Sequence, residues 1–212
     1  MYFDIHAHIK TFNGNTDRII SLFPNEASDL CPSWKYSIGI HPSFILEKKL
    51  KSELVILSKL ASQKSIIAIG EIGLDKNAKI PIYSQILVFQ QQLKIAEELN
   101  KPVIIHCVRC FSEIIALKKG STVPWIIHGF RGKPELAAQL IKKGIYLSFG
   151  SAILNDCPTL YSTVRETPSD KIFLETDDSK VNIKLIYEKA AEIKEISVEA
   201  LIEAININKR LI

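Results

Sequence analysis

The sequence has no apolar run of the roughly 18 residues that a membrane-spanning helix needs. Its first residues, Met1-Tyr2-Phe3-Asp4-Ile5-His6, lack the basic start and apolar stretch of a signal peptide, so a cytoplasmic location is expected. Cysteine is scarce: Cys31, Cys107, Cys110 and Cys157 are too few and too unevenly spaced for a disulfide framework and read as reduced thiols. Glycine and proline, nine each, are too sparse for a collagen-like or low-complexity chain, and neither a repeat nor a linker divides it. What remains is 212 residues, 47% hydrophobic and 24% charged, the profile of one soluble domain spanning residues 1–212. A net charge of +4 tolerates a polyanionic substrate without demanding one.

Short apolar, β-branched runs recur along the chain. Tyr2 to Ile5, Ile19 to Phe23, Tyr36 to Ile40, Ile66 to Ile69, Val103 to Ile105, Trp125 to Ile127, Ile145 to Phe149 and Ile172 to Leu174 each read as a buried strand. Helical patterns lie between them. From Pro81 to Asn100 an apolar face is formed by Ile82, Ile86, Phe89, Leu93, Ala96 and Leu99, and Pro134 to Lys143 and Leu50 to Ala61 behave alike. Strands alternating with helices imply parallel pairing, and eight of them imply an α/β fold of the (β/α)8 TIM-barrel type. This barrel is expected to be compact and distorted. Lys10 to Arg18 lacks helical periodicity, so the first helix is missing or reduced, and the second has room only to be short.

All five histidines fall at or just after a predicted strand end: His6, His8, His41, His106 and His128. Glu71 follows its strand through Gly70, and Asp177 follows Leu174 through Glu175 and Thr176. In parallel barrels the C-terminal strand ends form the active face, so this placement gathers imidazoles and carboxylates at one rim. His6 and His8, two apart on an extended segment, point the same way. Histidine and carboxylate groups drawn from several strands suit a pair of divalent cations, which supply hydroxide at neutral pH and stabilise charge on a phosphoryl or carbonyl oxygen. Hydrolysis is the implied reaction class, with Asp177 the best-placed proton acceptor.

Six blocks carry a resemblance: Asp4-Ile5-His6-Ala7-His8, Gly39-Ile40-His41-Pro42, Ala68-Ile69-Gly70-Glu71-Ile72-Gly73-Leu74-Asp75, Pro102-Val103-Ile104-Ile105-His106-Cys107, Ile127-His128-Gly129-Phe130 and Leu174-Glu175-Thr176-Asp177. In this order they resemble the TatD family of metal-dependent deoxyribonucleases, within the amidohydrolase-like barrels. The resemblance implies two divalent cations (Mg, Mn or Zn). His6, His8 and Asp177 would hold the first, His106 and His128 the second, and Glu71 would bridge them. It implies hydrolysis of DNA or another phosphodiester, as an exonuclease acting 3′ to 5′, with Asp177 and Glu71 catalytic. A monomer is compatible with it.

The departures from the family pattern lie in substrate-contacting parts. Ser43 replaces a second histidine after His41-Pro42, Val108 replaces an arginine and leaves Arg109 one position later, and Arg131 stands where serine is usual. The segment after Asp177 enters a helix near Asn182 almost directly, where the family carries a long loop. His41, Arg109, Phe130 and Arg131 are the candidate substrate contacts. Three rival readings remain open. The same metal site could hydrolyse a small amide or lactone; it could bind without turnover; or Cys107-Val108-Arg109-Cys110, a C-x-x-C after a strand, could serve thiol redox chemistry.

Overall fold

The computed structural model describes residues 1–8, 16–27 and 30–211. Its strands are β1 (Tyr2–Ala7), β2 (Thr16–Leu22), β3 (Lys35–Ile38), β4 (Ile66–Asp75), β5 (Val103–Val108), β6 (Trp125–Ile127), β7 (Ile145–Phe149) and β8 (Ile172–Leu174). The α-helices are α1 (Glu47–Ala61), α2 (Ile82–Glu98), α3 (Phe111–Leu117), α4 (Pro134–Lys142), α5 (Pro158–Glu166), α6 (Ile183–Lys194) and α7 (Val198–Asn208). The strands follow one another in the order β1 to β8 in one sheet. Pairing is parallel for β3 with β4, β4 with β5 and β7 with β8. From β3 onward a helix links each strand to the next. This is the (β/α)8 order expected from the sequence.

The β2–β3 connection carries a three-residue 3-10 turn, Pro24–Glu26, and no α-helix among the described residues. The expected short helix is thus reduced to one turn. The expected loss of the first helix falls on residues 9–15, which lie outside the described residues, and Thr16 to Arg18 already belong to β2. No helix among the described residues is long and apolar enough to cross a membrane.

The chain divides into two compact units, residues 1–19 with 127–212 and residues 20–126. In the first, Phe3, Ile5 and Ala7 alternate along β1 with Asp4 and His6, and both sets are buried. A strand covered on both faces is normal in parallel architectures, but polar groups on the inner face then need partners. The Tyr187 hydroxyl of α6 donates to the Phe3 carbonyl (2.8 Å) and accepts from the Phe3 amide (3.2 Å), tying that helix to β1. Beyond β8 the chain rejoins β1 through a parallel bridge between Ala7 and Asp177.

In the second unit β4 runs ten residues, not the four predicted. The pairing register with β5 shifts between Ile69 and Ile72, so Gly70 and Glu71 form an irregularity inside the strand rather than its end. Gly73 has a backbone φ of +152° and lies so close to β5 that a Cβ would sit 1.9 Å from the His106 carbonyl oxygen. Only glycine fits there. Trp125 is fully buried, its ring edge-on to Phe89 of α2 at 5.4 Å, which confirms it as core.

Candidate metal centre

Each unit carries its own cluster of imidazoles and carboxylates. In the first, Asp177 is held by its backbone before its side chain is considered. Its amide donates to the His6 carbonyl (2.9 Å), and its carbonyl accepts from the His8 amide (3.0 Å). This stitching, with φ at +54°, a conformation aspartate tolerates better than most residues, aims the carboxylate between the two imidazoles. Oδ1 lies 3.5 Å from His6 Nε2 and 3.4 Å from His8 Nε2. Burial opposes ionisation of Asp177, but hydrogen bonds from His6 and His8 and the charge of His6 and His128 outweigh it, holding the carboxyl well below the usual range.

His128 completes this cluster. Its ring centroid is 4.3 Å from that of His6, and its Nδ1 lies 3.5 Å from Glu175 Oε1. Glu175 also accepts from the Gly129 amide at 2.6 Å. Behind the cluster, the buried Asp4 carboxylate accepts from the Thr176 amide (3.0 Å) and hydroxyl (2.7 Å), with Arg18 at 3.4 Å. Burial pushes the Asp4 carboxyl up to about 6, against the opposing pull of Thr176 and Arg18.

In the second unit, Glu71 Oε1 lies 2.8 Å from His106 Nδ1 and 3.2 Å from His41 Nε2. His106 Nε2 meets Asp75 Oδ2 at 3.2 Å on the other side of the ring. An imidazole whose far nitrogen donates to a carboxylate has its tautomer and ring plane set, the usual support for a metal ligand. Two glutamines on α2, one face and two turns apart, fix the backbone. Gln85 accepts from the Asp75 amide (2.7 Å) and donates to its carbonyl (2.9 Å), and Gln92 does the same for Ile40 (2.7 and 3.1 Å), the residue before His41.

The donor sets fit divalent cations. His6, His8 and Asp177 offer ligand atoms within 4.8 Å of one another, as do His128, Glu175 and Asp177, and as do His41, Glu71 and His106. Mixed imidazole and carboxylate donors suit zinc, manganese and related ions. His106 stands in a candidate group with His41 and Glu71, and His128 in one with Glu175 and Asp177.

The model of the family described as TatD related DNase matches residues 25–212. The chain belongs to the TatD-related DNase family. Its relatives include YabD of Bacillus subtilis, named an uncharacterized metal-dependent hydrolase, 27% identical across 95% of this chain and 94% of YabD. The TatD protein of Citrobacter koseri, named a 3′-5′ ssDNA/RNA exonuclease, is 32% identical across 66% of this chain and 55% of its own. The crystal structure of YjjV, a TatD homolog from Escherichia coli, superposes with a TM-score of 0.85 at 20% identity, covering 99% of this chain and 96% of its own. That likeness carries the TIM-barrel fold. The protein is a metal-dependent hydrolase of the TatD family.

The structure sorts the remaining sequence candidates. His41, expected to touch substrate, stands among the ligand atoms of the second cluster. Arg109 and Arg131 are exposed. Phe130 is 2% exposed, its amide bonded to the Ser148 carbonyl and its ring edge-on to Phe149, so it is core and not a surface for substrate. Asp75, Glu175, Gln85 and Gln92 were not singled out by the sequence reading. The first two were within reach of it: Asp75 shares strand parity with Glu71, and Glu175 with Asp177.

Proposed function

We propose that the protein hydrolyses phosphodiester bonds of DNA, acting 3′ to 5′ on single strands, with one divalent cation at each cluster. The observation that supports this most is Asp177, flanked by two imidazoles yet with a side chain 35% exposed, so that water reaches it. His6, His8 and Asp177 would hold one cation; His41, Glu71 and His106 would hold another, with Asp75 orienting His106. A divalent cation supplies hydroxide at neutral pH and neutralises charge on phosphoryl oxygens. Asp177, held between His6 and His8 and open to water, accepts the proton of the attacking water. Glu175 faces His128 and accepts from the Gly129 amide, holding that backbone in place. Glu71 provides the negative charge of the more enclosed cluster.

Thiol chemistry has no comparable support. Cys110 is fully buried and its thiol is pushed up by burial, and burial raises the Cys107 thiol to about 12, so neither supplies a thiolate near neutral pH.

The test is an activity panel on chelator-treated protein resupplied with Mg, Mn, Co or Zn. Single-stranded DNA, double-stranded DNA, RNA, a chromogenic phosphodiester and small amides and lactones serve as substrates. Metal-dependent release of mononucleotides from the 3′ end of single-stranded DNA is expected. Turnover of an amide or lactone with every phosphodiester left intact overturns the reading in favour of the amidohydrolase alternative.

A further inference from the structure

In the second unit a large apolar side chain lies open to water beside the His41 cluster. Phe44 is 59% exposed, and it ends the turn Pro42–Phe44 that begins at His41. That turn is fastened to the cluster itself: His41 Nδ1 accepts from the Ser43 amide (3.1 Å), while His41 Nε2 faces Glu71 Oε1. The Phe44 ring is therefore held, not dangling. Its centroid is 5.4 Å from that of His41, and Phe23 braces it edge-on at 5.3 Å. Phe23, Phe44, Leu46 and Ile40 line an open groove of about 210 Å³ whose rim carries Lys49 and Glu53.

We infer that Phe44 is a stacking platform for a nucleobase of single-stranded substrate, beside the cation site of His41, Glu71 and His106. The inference rests on the phosphodiester reading and adds a base-binding subsite to it. The groove, lined by aromatic and aliphatic side chains, suits one planar ring system. An exposed aromatic face is sequence-tolerant, since every base offers a π-face, and it takes only bases that are already unstacked, which favours single strands over duplex. Lys49 and Glu53 provide a donor and an acceptor for base edges. Continuity with the cluster through His41 ties the groove to the same ligand.

The test compares steady-state hydrolysis of a short oligothymidylate with that of an oligomer of equal length built from abasic sugars. Wild-type protein is expected to show a KM on the order of ten-fold lower for the oligothymidylate. Phe44→Ala should raise that KM to the abasic value and leave abasic hydrolysis unchanged, and Phe44→Tyr should keep the wild-type preference. Phe44→Ala protein with a wild-type KM for oligothymidylate overturns the subsite. A second readout needs no turnover: emission of a Phe44→Trp variant, referenced to wild type, should be quenched by oligothymidylate and not by the abasic oligomer. If wild-type protein cleaves no phosphodiester, the functional reading fails, and the quenching result alone decides the subsite, its absence ruling it out.

Discussion

In the first unit a carboxylate, Asp177, lies between two imidazoles and is 35% open to water, whereas in the second an imidazole, His106, lies between two carboxylates and is 19% open. The local architecture differs in the same sense. Asp177 is positioned by main-chain bonds to the very residues whose side chains it faces, at the ragged ends of β1 and β8. Glu71 and Asp75 come from one long, interrupted strand whose end is clamped by the amide of Gln85, while Gln92 clamps Ile40 beside His41. An open, ionised carboxylate suits a group that must exchange protons with water. A closed, doubly anchored imidazole suits one that must stay still.

The largest expected effect tests that division directly. Asp177→Asn should lower kcat by about 10²–10⁴-fold while a cation still binds at His41, Glu71 and His106, as read by elemental analysis. Glu71→Gln should instead lose the cation of its own cluster and leave that at His6, His8 and Asp177. Equal metal loss in both variants, with no difference in kcat, erases the distinction.

The anchoring carboxylates come next. Asp75→Asn should weaken metal affinity or activity by about 10–100-fold by releasing the His106 tautomer. The loss should appear at the second cluster only, and an unchanged metal titration contradicts the anchoring role. Smaller still is Gln92→Leu, which leaves the Ile40 amide and carbonyl unsatisfied at about 1–3 kcal/mol per buried group. A urea midpoint equal to wild type shows that water replaces the glutamine. At the bottom of the scale, replacing Cys107 and Cys110 together by serine should leave hydrolysis at the wild-type rate, and its abolition with metals retained revives a role for the thiols.

Much of this was legible because strand periodicity is a strong signal: His6 with His8, Trp125–Ile127 and Ile172–Leu174 read directly from alternation or from apolar runs. The apolar run that marks β4 in the sequence stops at Ile69, before Gly70, although the strand continues to Asp75. In a strand buried on both sides, glycine admits an irregularity at Glu71 and the close approach to the His106 carbonyl. Asp75, at the far end of the same strand, lies beyond that run. Gln85 and Gln92 were invisible because a polar residue on a helix normally faces water, and only the tertiary pairing turns these two inward. Phe130 failed for the opposite reason. Flanked by Gly129 and Arg131 it looks like loop, but the bond from its amide to Ser148 draws the ring onto Phe149.

The central claim is that each unit holds a divalent cation and that hydrolysis depends on them. Elemental analysis of chelated and then metal-reloaded protein, read alongside phosphodiester turnover, measures it most directly. About two ions per chain, with activity lost on chelation and regained on reloading, is the predicted result. Protein that binds no divalent ion, or that hydrolyses its substrate equally well in excess chelator, contradicts it.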